Sequence, residues 1–105
     1  MIGIVLVAHG ALALAVLRSL ESVLGHPVLG MVAVGVADDD TLTTLKAKIA
    51  AAATLVEEGE GTIILTDMYG DTATNVSMAL AREARVQVVT GVNFPIMVKV
   101  ISARH

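Results

Sequence analysis

The sequence predicts an α/β fold, an open and doubly wound sheet of four parallel strands with helices on both faces. Short runs rich in Val, Ile and Leu alternate along the 105 residues with stretches whose apolar residues recur at helical spacing. The strand-like runs are almost unbroken, which is typical of parallel strands covered on both faces. Because the connections are short, we expect right-handed strand–helix–strand units and predict the strand order 2-1-3-4.

The first half of the chain predicts two strands and two helices. In order, they are Ile2–Ala8, Ala11–Leu24, Val28–Val36 and Leu42–Val56. The first helix is expected to stop at Gly25 and Pro27, because glycine favours a helix end and proline cannot continue a helix. The run Asp38–Asp40 precedes the second helix. We expect an aspartate of this run to be the N-cap, since its charge also suits the helix dipole, and we do not expect a metal site there.

The second half predicts two more strand–helix units. Their elements are Thr62–Asp67, Ala73–Ala84, Val86–Thr90 and a last helix that starts near Pro95. The segment Tyr69–Asn75 has the composition of a turn that leads into the third helix. Pro95 fits the first turn of the last helix, where a missing backbone N–H removes no helical hydrogen bond.

The composition is that of one small domain, residues 1–105, with a restricted chemistry. A chain of this length can bury a single core without disulfide bonds, and the sequence contains no cysteine. Thiol catalysis and thiolate metal sites are therefore excluded. The formal net charge is −3, and the aromatic residues are Tyr69 and Phe94. These features argue against nucleic-acid binding, which needs cationic patches and stacking rings.

The hydropathy suggests a membrane segment, but the distribution of apolar residues argues against one. The mean hydropathy is +0.79, and the most apolar stretch is Ile2–Leu17. A spanning helix needs about 20 apolar residues, and His9 and Gly10 interrupt this stretch. Met1 is followed directly by apolar residues and not by a cationic segment. We therefore expect neither direct membrane insertion nor a secretory signal.

Two chemically active residues follow the two central strands. In open α/β sheets, ligands bind beyond the carboxyl ends of the strands where the strand order reverses, here between the first and third strands. His9 and Asp67 come at those two ends. A carboxylate that bonds one ring nitrogen fixes the imidazole tautomer and leaves the other nitrogen as a nucleophile. We predict a His9–Asp67 site, although either residue alone would be explained as a polar strand end or a turn residue.

The loop after the third strand is expected to bind an anion. Gly70 permits close approach of the backbone, and Thr72 and Thr74 offer hydroxyl groups. The helix that begins near Ala73 presents free backbone N–H groups, which bind anions. Ordinary helix capping by Thr72 or Asp71 would explain the same residues. The charge of Asp71 would oppose a bound anion unless its side chain points away.

Motifs of other phosphate-binding and metal-binding classes are absent from the sequence. It has neither a P-loop glycine–lysine pattern nor Gly-x-Gly-x-x-Gly after a strand. A receiver-like domain phosphorylated on Asp67 would need an acidic pair after the first strand to hold magnesium, and this chain has Ala8-His9 there. His26 and His105 lack the spacing of metal ligands and are expected to be surface residues. The sequence therefore predicts no metal site.

Three segments of the chain resemble a known family. They are Ile4–Gly10, Leu65–Asn75 and Val89–Pro95, and they occur in the family's order and spacing. The chain resembles the enzyme IIA components of the mannose/fructose/sorbose family of the bacterial phosphoenolpyruvate-dependent sugar phosphotransferase system. The resemblance covers essentially the whole chain and implies the same doubly wound fold.

The resemblance also implies a function. Family members are cytoplasmic phosphotransferases, usually homodimers, that need no cofactor. They accept a phosphoryl group from the histidine-containing phosphocarrier protein and pass it to a IIB component. His9 would carry the phosphoryl group, and Asp67 would hold its ring. The phosphoryl oxygens would be received by Thr72 and the backbone amides of the loop residues Gly70, Asp71 and Ala73.

The chain also differs from the family pattern. After the aspartate, that pattern usually reads Gly-Gly-Ser/Thr-Pro-x-Asn, and this chain has Asp71 and Ala73 at the second glycine and the proline. Serine is common at the position of Ala8. Members typically continue for some tens of residues, so the chain is expected to be short at its C-terminus. A phosphorylation-dependent regulatory module not coupled to sugar uptake is the alternative function, and the sequence does not indicate which sugar would be served.

Overall fold

The computed structural model describes residues 1–67, 72–82 and 85–104. Strands and helices alternate in the order β1 (Gly3–His9), α1 (Leu12–Leu24), β2 (Met31–Val36), α2 (Leu42–Val56), β3 (Thr62–Thr66), α3 (Thr72–Ala81), β4 (Val86–Val89) and α4 (Phe94–Ala103). All strand pairs are parallel, and the order across the sheet is β2-β1-β3-β4. The predicted fold class and strand order are therefore confirmed.

Each face of the sheet packs against one pair of helices. Val5 and Val7 of β1 belong to the core formed with α2 and α3, whereas Ile4 and Leu6 belong to the core formed with α1 and α4. All four side chains are at most 2% exposed. β1 is an unbroken apolar run because successive side chains point to opposite faces and both faces are covered.

The ends of the elements follow local backbone constraints. Gly25 ends α1 as predicted, with a left-handed φ of 81°, and its N–H donates to the carbonyl oxygen of Glu21 at 2.9 Å. The predicted start of the second strand at Val28 is wrong by three residues, because Gly30 has a left-handed φ of 67° and β2 begins only at Met31. Of the predicted third helix, Ala84 lies outside the described residues.

The predicted aspartate cap of α2 is wrong. Thr41 is the N-cap, and its side chain accepts a hydrogen bond from the N–H of Thr44. The Thr44 hydroxyl accepts in return from the N–H of Thr41 at 2.8 Å, which completes a reciprocal capping box. A threonine can form this box with an oxygen-bearing side chain three residues later, and it leaves the preceding aspartate available for other contacts.

Asp40 instead braces the connection between β2 and α2. Its carboxylate accepts hydrogen bonds from the N–H of Ala37 and the hydroxyl of Thr44, both at 2.8 Å, and pairs with the ammonium of Lys48 at 2.6 Å. The hydrogen bond from Lys48, followed by those from Ala37 and Thr44, lowers the pKa of Asp40 to about 2. The carboxylate therefore stays ionised across the physiological range and holds this connection in place.

The longest described helix is α2, with 15 residues. None of the helices in the described ranges is both long enough and apolar enough to cross a membrane.

Candidate active site

The structure brings His9 and Asp67 together. His9 is the last residue of β1, and Asp67 directly follows β3, which is the neighbouring strand. The imidazole Nδ1 atom lies 3.4 Å from the carboxylate Oδ2 atom of Asp67. Because parallel strands end at the same edge of the sheet, residues 58 positions apart in the chain meet at the reversal of strand order.

The His9–Asp67 pair lies at an accessible surface. The side chain of His9 is 54% exposed and that of Asp67 is 22% exposed. A contact of this length at such a surface contributes at most about 1 kcal/mol to stability. The ring is therefore held in orientation without being enclosed, and another protein can reach it.

Asp67 has a second carboxylate oxygen in a different environment. Its Oδ1 atom is buried and accepts no hydrogen bond from the residues that the structure describes. Burial without a partner is unfavourable for a carboxylate oxygen, and the cost falls when a positive charge comes close. The carboxylate is therefore suited to stabilise a positive imidazole ring more strongly than a neutral one.

The turn after His9 is fixed against the edge strand β2. Gly10 has a left-handed φ of 57°, and its N–H donates to the carbonyl oxygen of Val36 at 2.8 Å. A Cβ atom on Gly35 would lie 2.4 Å from the carbonyl oxygen of Gly10. Because Gly35 has no side chain, the turn packs directly on the backbone of β2. This packing determines the position of His9, which directly precedes the turn.

Two of the predicted anion-binding residues, Thr72 and Ala73, lie at the start of α3. Thr72 and Ala73 form the beginning of the helix, so free backbone N–H groups are available at this position. Gly70 and Asp71 lie outside the described residues. The roles predicted for all four residues in binding phosphoryl oxygens stay predictions.

The start of α3 is joined to the end of β3 by a buried contact. The hydroxyl oxygens of Thr66 and Thr74 are 3.1 Å apart, and these residues are 0% and 2% exposed. The carbonyl oxygen of Thr66 also accepts a hydrogen bond from the N–H of Val92 at 3.2 Å. Thr66 thus connects the first turn of α3 and the loop between β4 and α4 at the carboxyl edge of the sheet.

The connection between β4 and α4 has its own cap. Asn93 is the N-cap of α4, and its side-chain oxygen accepts a hydrogen bond from the N–H of Ile96 at 3.0 Å. Pro95 lies in the first turn, as predicted. The preceding Val92 is the residue that bonds to Thr66, so this cap fixes a segment beside the end of β3.

Sequence reasoning did not single out Thr66 or Gly35. In the strand segment 63–66, Thr66 is the polar residue that follows three apolar ones. That polarity is the signal that could have identified it. Gly35 had a weaker signal, a glycine inside a predicted strand, which often marks a close approach of another backbone. The predicted surface residue His26 is exposed, and His105 lies outside the described residues.

The family model described as the fructose IIA component of the PTS, the phosphotransferase system, matches residues 3–105. The chain belongs to this family. The predicted membership of the mannose/fructose/sorbose group is thereby confirmed. The IIA chain is accordingly a component of PTS sugar phosphotransfer and has a phosphotransferase role.

Solved structures similar to this IIA chain come from the same system. The phosphotransferase system component EIIA from Streptococcus agalactiae is 27% identical, with a TM-score of 0.88 over 99% of this chain and 79% of that one. The PTS IIA protein associated with the fucose utilization operon from Streptococcus pneumoniae is 27% identical, with a TM-score of 0.80 over 96% of this chain and 76% of that one.

A third similar structure shares the fold at lower identity. The mannose/sorbose specific IIA subunit from Enterococcus faecalis is 24% identical, with a TM-score of 0.86 over 99% of this chain and 78% of that one. No curated protein sequence gives a significant match to the IIA chain.

Proposed function

We propose that the chain is a phosphocarrier that holds a phosphoryl group on His9. The observation that carries this proposal is the His9–Asp67 pair, with Nδ1 and Oδ2 3.4 Å apart at the carboxyl ends of the central strands β1 and β3. The donor would be the histidine-containing phosphocarrier protein, and the acceptor would be a IIB component. Family membership and the exposure of the His9 ring, 54%, support a role in transfer between proteins.

We assign the phosphoryl group to Nε2 of His9, because Nδ1 faces the carboxylate of Asp67. The carboxylate of Asp67 accepts a hydrogen bond from the Nδ1–H group and fixes the tautomer in which Nε2 carries the lone pair. This lone pair forms a bond to phosphorus while the phosphorus–nitrogen bond of the donor breaks and its electrons return to the donor ring. The Nδ1 proton stays on His9, and the nearby carboxylate balances the positive charge that develops on the ring.

The phosphoryl oxygens are proposed to contact the N-terminus of α3. The backbone N–H groups of Thr72 and Ala73 lie in its first turn, where the positive end of the helix dipole also favours an anion. Gly70, Asp71 and the hydroxyl of Thr72 complete the proposed anion site. Phosphoryl transfer needs mainly positioning and charge stabilisation from a protein, and this arrangement would supply both.

Partner proteins are proposed to dock on apolar side chains that surround the carboxyl edge of the sheet. Leu12 and Leu14 in the first turn of α1 are 49% and 48% exposed, and Phe94 at the start of α4 is 37% exposed. Exposed apolar side chains beside a transfer site are typical of protein-docking surfaces. We also propose Tyr69 as a contact with partner proteins, and it lies outside the described residues. We also propose that the protein forms a homodimer and is located in the cytoplasm.

The proposal is tested by incubating the protein with phosphoenolpyruvate, its kinase and the histidine-containing phosphocarrier protein, and measuring the intact mass. We expect a gain of one phosphoryl group, labile in acid and comparatively stable in base, as for a phosphoramidate. His9→Ala should abolish the gain while the circular dichroism spectrum is unchanged. A label that persists in His9→Ala would refute the proposal.

Asp67→Asn separates the two residues' roles. The amide can still orient the ring but offers no negative charge, so we expect the same label at a rate reduced roughly 10²-fold. A label that is kept in His9→Ala and lost in Asp67→Asn would instead make Asp67 the acceptor. Transfer onward to a IIB component distinguishes the phosphocarrier from a regulatory module, which would be phosphorylated without passing the group on.

A further inference from the structure

Thr66 has an unusual position in the described part of the chain. It is the last residue of β3, fully buried, and it is paired with Val7 of the central strand β1. The next residue is Asp67, whose carboxylate faces His9. The backbone of Thr66 is therefore held rigidly, and its orientation is coupled directly to that of the site.

The hydroxyl of Thr66 reaches the first turn of α3. It lies 3.1 Å from the hydroxyl of Thr74, the third residue of that helix. Both residues are buried, so water cannot replace a lost hydrogen bond there. Breaking a hydrogen bond between buried hydroxyls is therefore unfavourable, and the bond favours one relative position of the two groups. The hydrogen bond thus joins the end of β3, directly before Asp67, to the helix end proposed to bind phosphoryl oxygens.

The first turn of α3 needs such an anchor. The helix has 10 residues, and helices of this length are marginal without tertiary contacts. Val76 and Leu80, which pack in the core, hold the later turns. No proline in the first turn restricts its backbone, and helix ends tend to fray.

We propose that Thr66 is a positioning residue for phosphoryl transfer. Through its hydrogen bond to Thr74, it holds the N-terminal amides of α3 at a fixed distance from His9 and Asp67. The phosphoryl group then meets preformed donors and not a fraying helix end. This inference rests on the proposed function, because it assigns the helix end to the phosphoryl oxygens.

The test compares Thr66→Val with Thr62→Val. Valine keeps the shape of threonine and replaces the hydroxyl with a methyl group, which cannot form a hydrogen bond. Thr62 is a matched control at the other end of β3, where its buried hydroxyl donates to the carbonyl oxygen of Ala53 at 3.4 Å. Both variants lose a buried hydrogen bond from the same strand, but the control loses it far along the strand from Asp67.

Phosphoryl transfer kinetics provide the first readout. We expect Thr66→Val to lower kcat for transfer from the phosphocarrier protein by about 10- to 100-fold at unchanged KM, because misplaced donors slow the chemical step and leave docking intact. Thr66→Ser should restore the rate, and Thr62→Val should keep it. Thr74→Val should be at least as slow as Thr66→Val, because it removes the same hydrogen bond, and the double variant should be no slower than Thr74→Val. A normal kcat in Thr66→Val, with only a lower Tm, would overturn the proposal.

Amide hydrogen exchange provides a readout that does not depend on the transfer reaction. We expect faster exchange at Val76 and Ser77, whose N–H groups bond to the first turn of α3, in Thr66→Val but not in Thr62→Val. Unchanged exchange would overturn the proposal even if transfer were slow. If the wild-type protein were not phosphorylated on His9, the proposed function would fail, and faster exchange would still show that Thr66 fixes the helix end.

Discussion

Gly35→Ala tests how closely the position of His9 depends on the edge strand. The added Cβ atom would lie 2.4 Å from the carbonyl oxygen of Gly10, whereas ordinary contact begins at 3.4 Å. The backbone of Gly10 must therefore move by about an ångström, and the hydrogen bond from its N–H to Val36 must lengthen or tilt. His9 directly precedes this turn, so its ring should shift relative to Asp67.

The expected effects differ in size for stability and for transfer. Overpacking of this kind costs on the order of 1–3 kcal/mol, and the better strand preference of alanine offsets about 0.5–1 kcal/mol. We therefore expect a net loss of about 1 kcal/mol, and at most about 2.5 kcal/mol, in the free energy of unfolding, measured in urea. A shift of about an ångström at the reacting group is expected to slow phosphoryl transfer by up to about 10²-fold, measured by rapid quench.

Gly25→Ala is the matched control for this variant. Gly25 has a φ of 81°, and a Cβ atom added there would meet no atom within 4 Å, so alanine strains the backbone without a collision. It lies at the C-terminal end of α1, a helix length away from His9. We expect a similar loss of stability and a normal transfer rate. A normal transfer rate in Gly35→Ala would refute the argument that this glycine sets the position of His9.

Three further predictions concern charge, capping and docking. Hydrogen bonds and an ammonium partner lower the pKa of Asp40 to about 2, so its stabilising effect should be complete above about pH 4 and disappear as the pH falls towards 2. In urea unfolding, the difference between wild type and Asp40→Asn should shrink over that range, and a constant difference would contradict it. Asn93→Ala and Thr41→Ala should each lower the free energy of unfolding by about 1 kcal/mol, but only Asn93→Ala should also slow phosphoryl transfer. Equal transfer rates in the two variants would refute this prediction. Leu14→Ser should raise KM for the phosphocarrier protein. Leu29 is an exposed leucine before β2, and Leu29→Ser should leave this KM unchanged. An unchanged KM in both variants would exclude the proposed docking surface.

The meeting of His9 and Asp67 could be predicted because it depends on topology alone. Apolar runs and helical spacing determine the order of the elements, and right-handed crossovers determine which strands are neighbours. Once β1 and β3 are adjacent, the residues at their carboxyl ends must approach one another. No side-chain detail is needed for that step.

The remaining features depend on atomic contacts that a sequence pattern does not encode. Aspartate is a residue type that often caps helices, so an aspartate before α2 is a reasonable prediction. In the structure, however, Thr41 is the N-cap through its reciprocal hydrogen bonds with Thr44, and Asp40 pairs with Lys48. The Thr66–Thr74 contact depends on how α3 is seated against β3. Both cases require knowing which of several competent polar groups reaches its partner in three dimensions.

The most direct test of the central claim is the phosphorus NMR spectrum of the protein after phosphorylation by the phosphocarrier protein. Phosphorus-to-proton correlations identify the ring nitrogen that carries the phosphoryl group. We predict a single phosphohistidine at His9, with phosphorus bonded to Nε2. A signal from an acyl phosphate on Asp67, or from phosphorus bonded to Nδ1 of His9, would contradict the proposed mechanism.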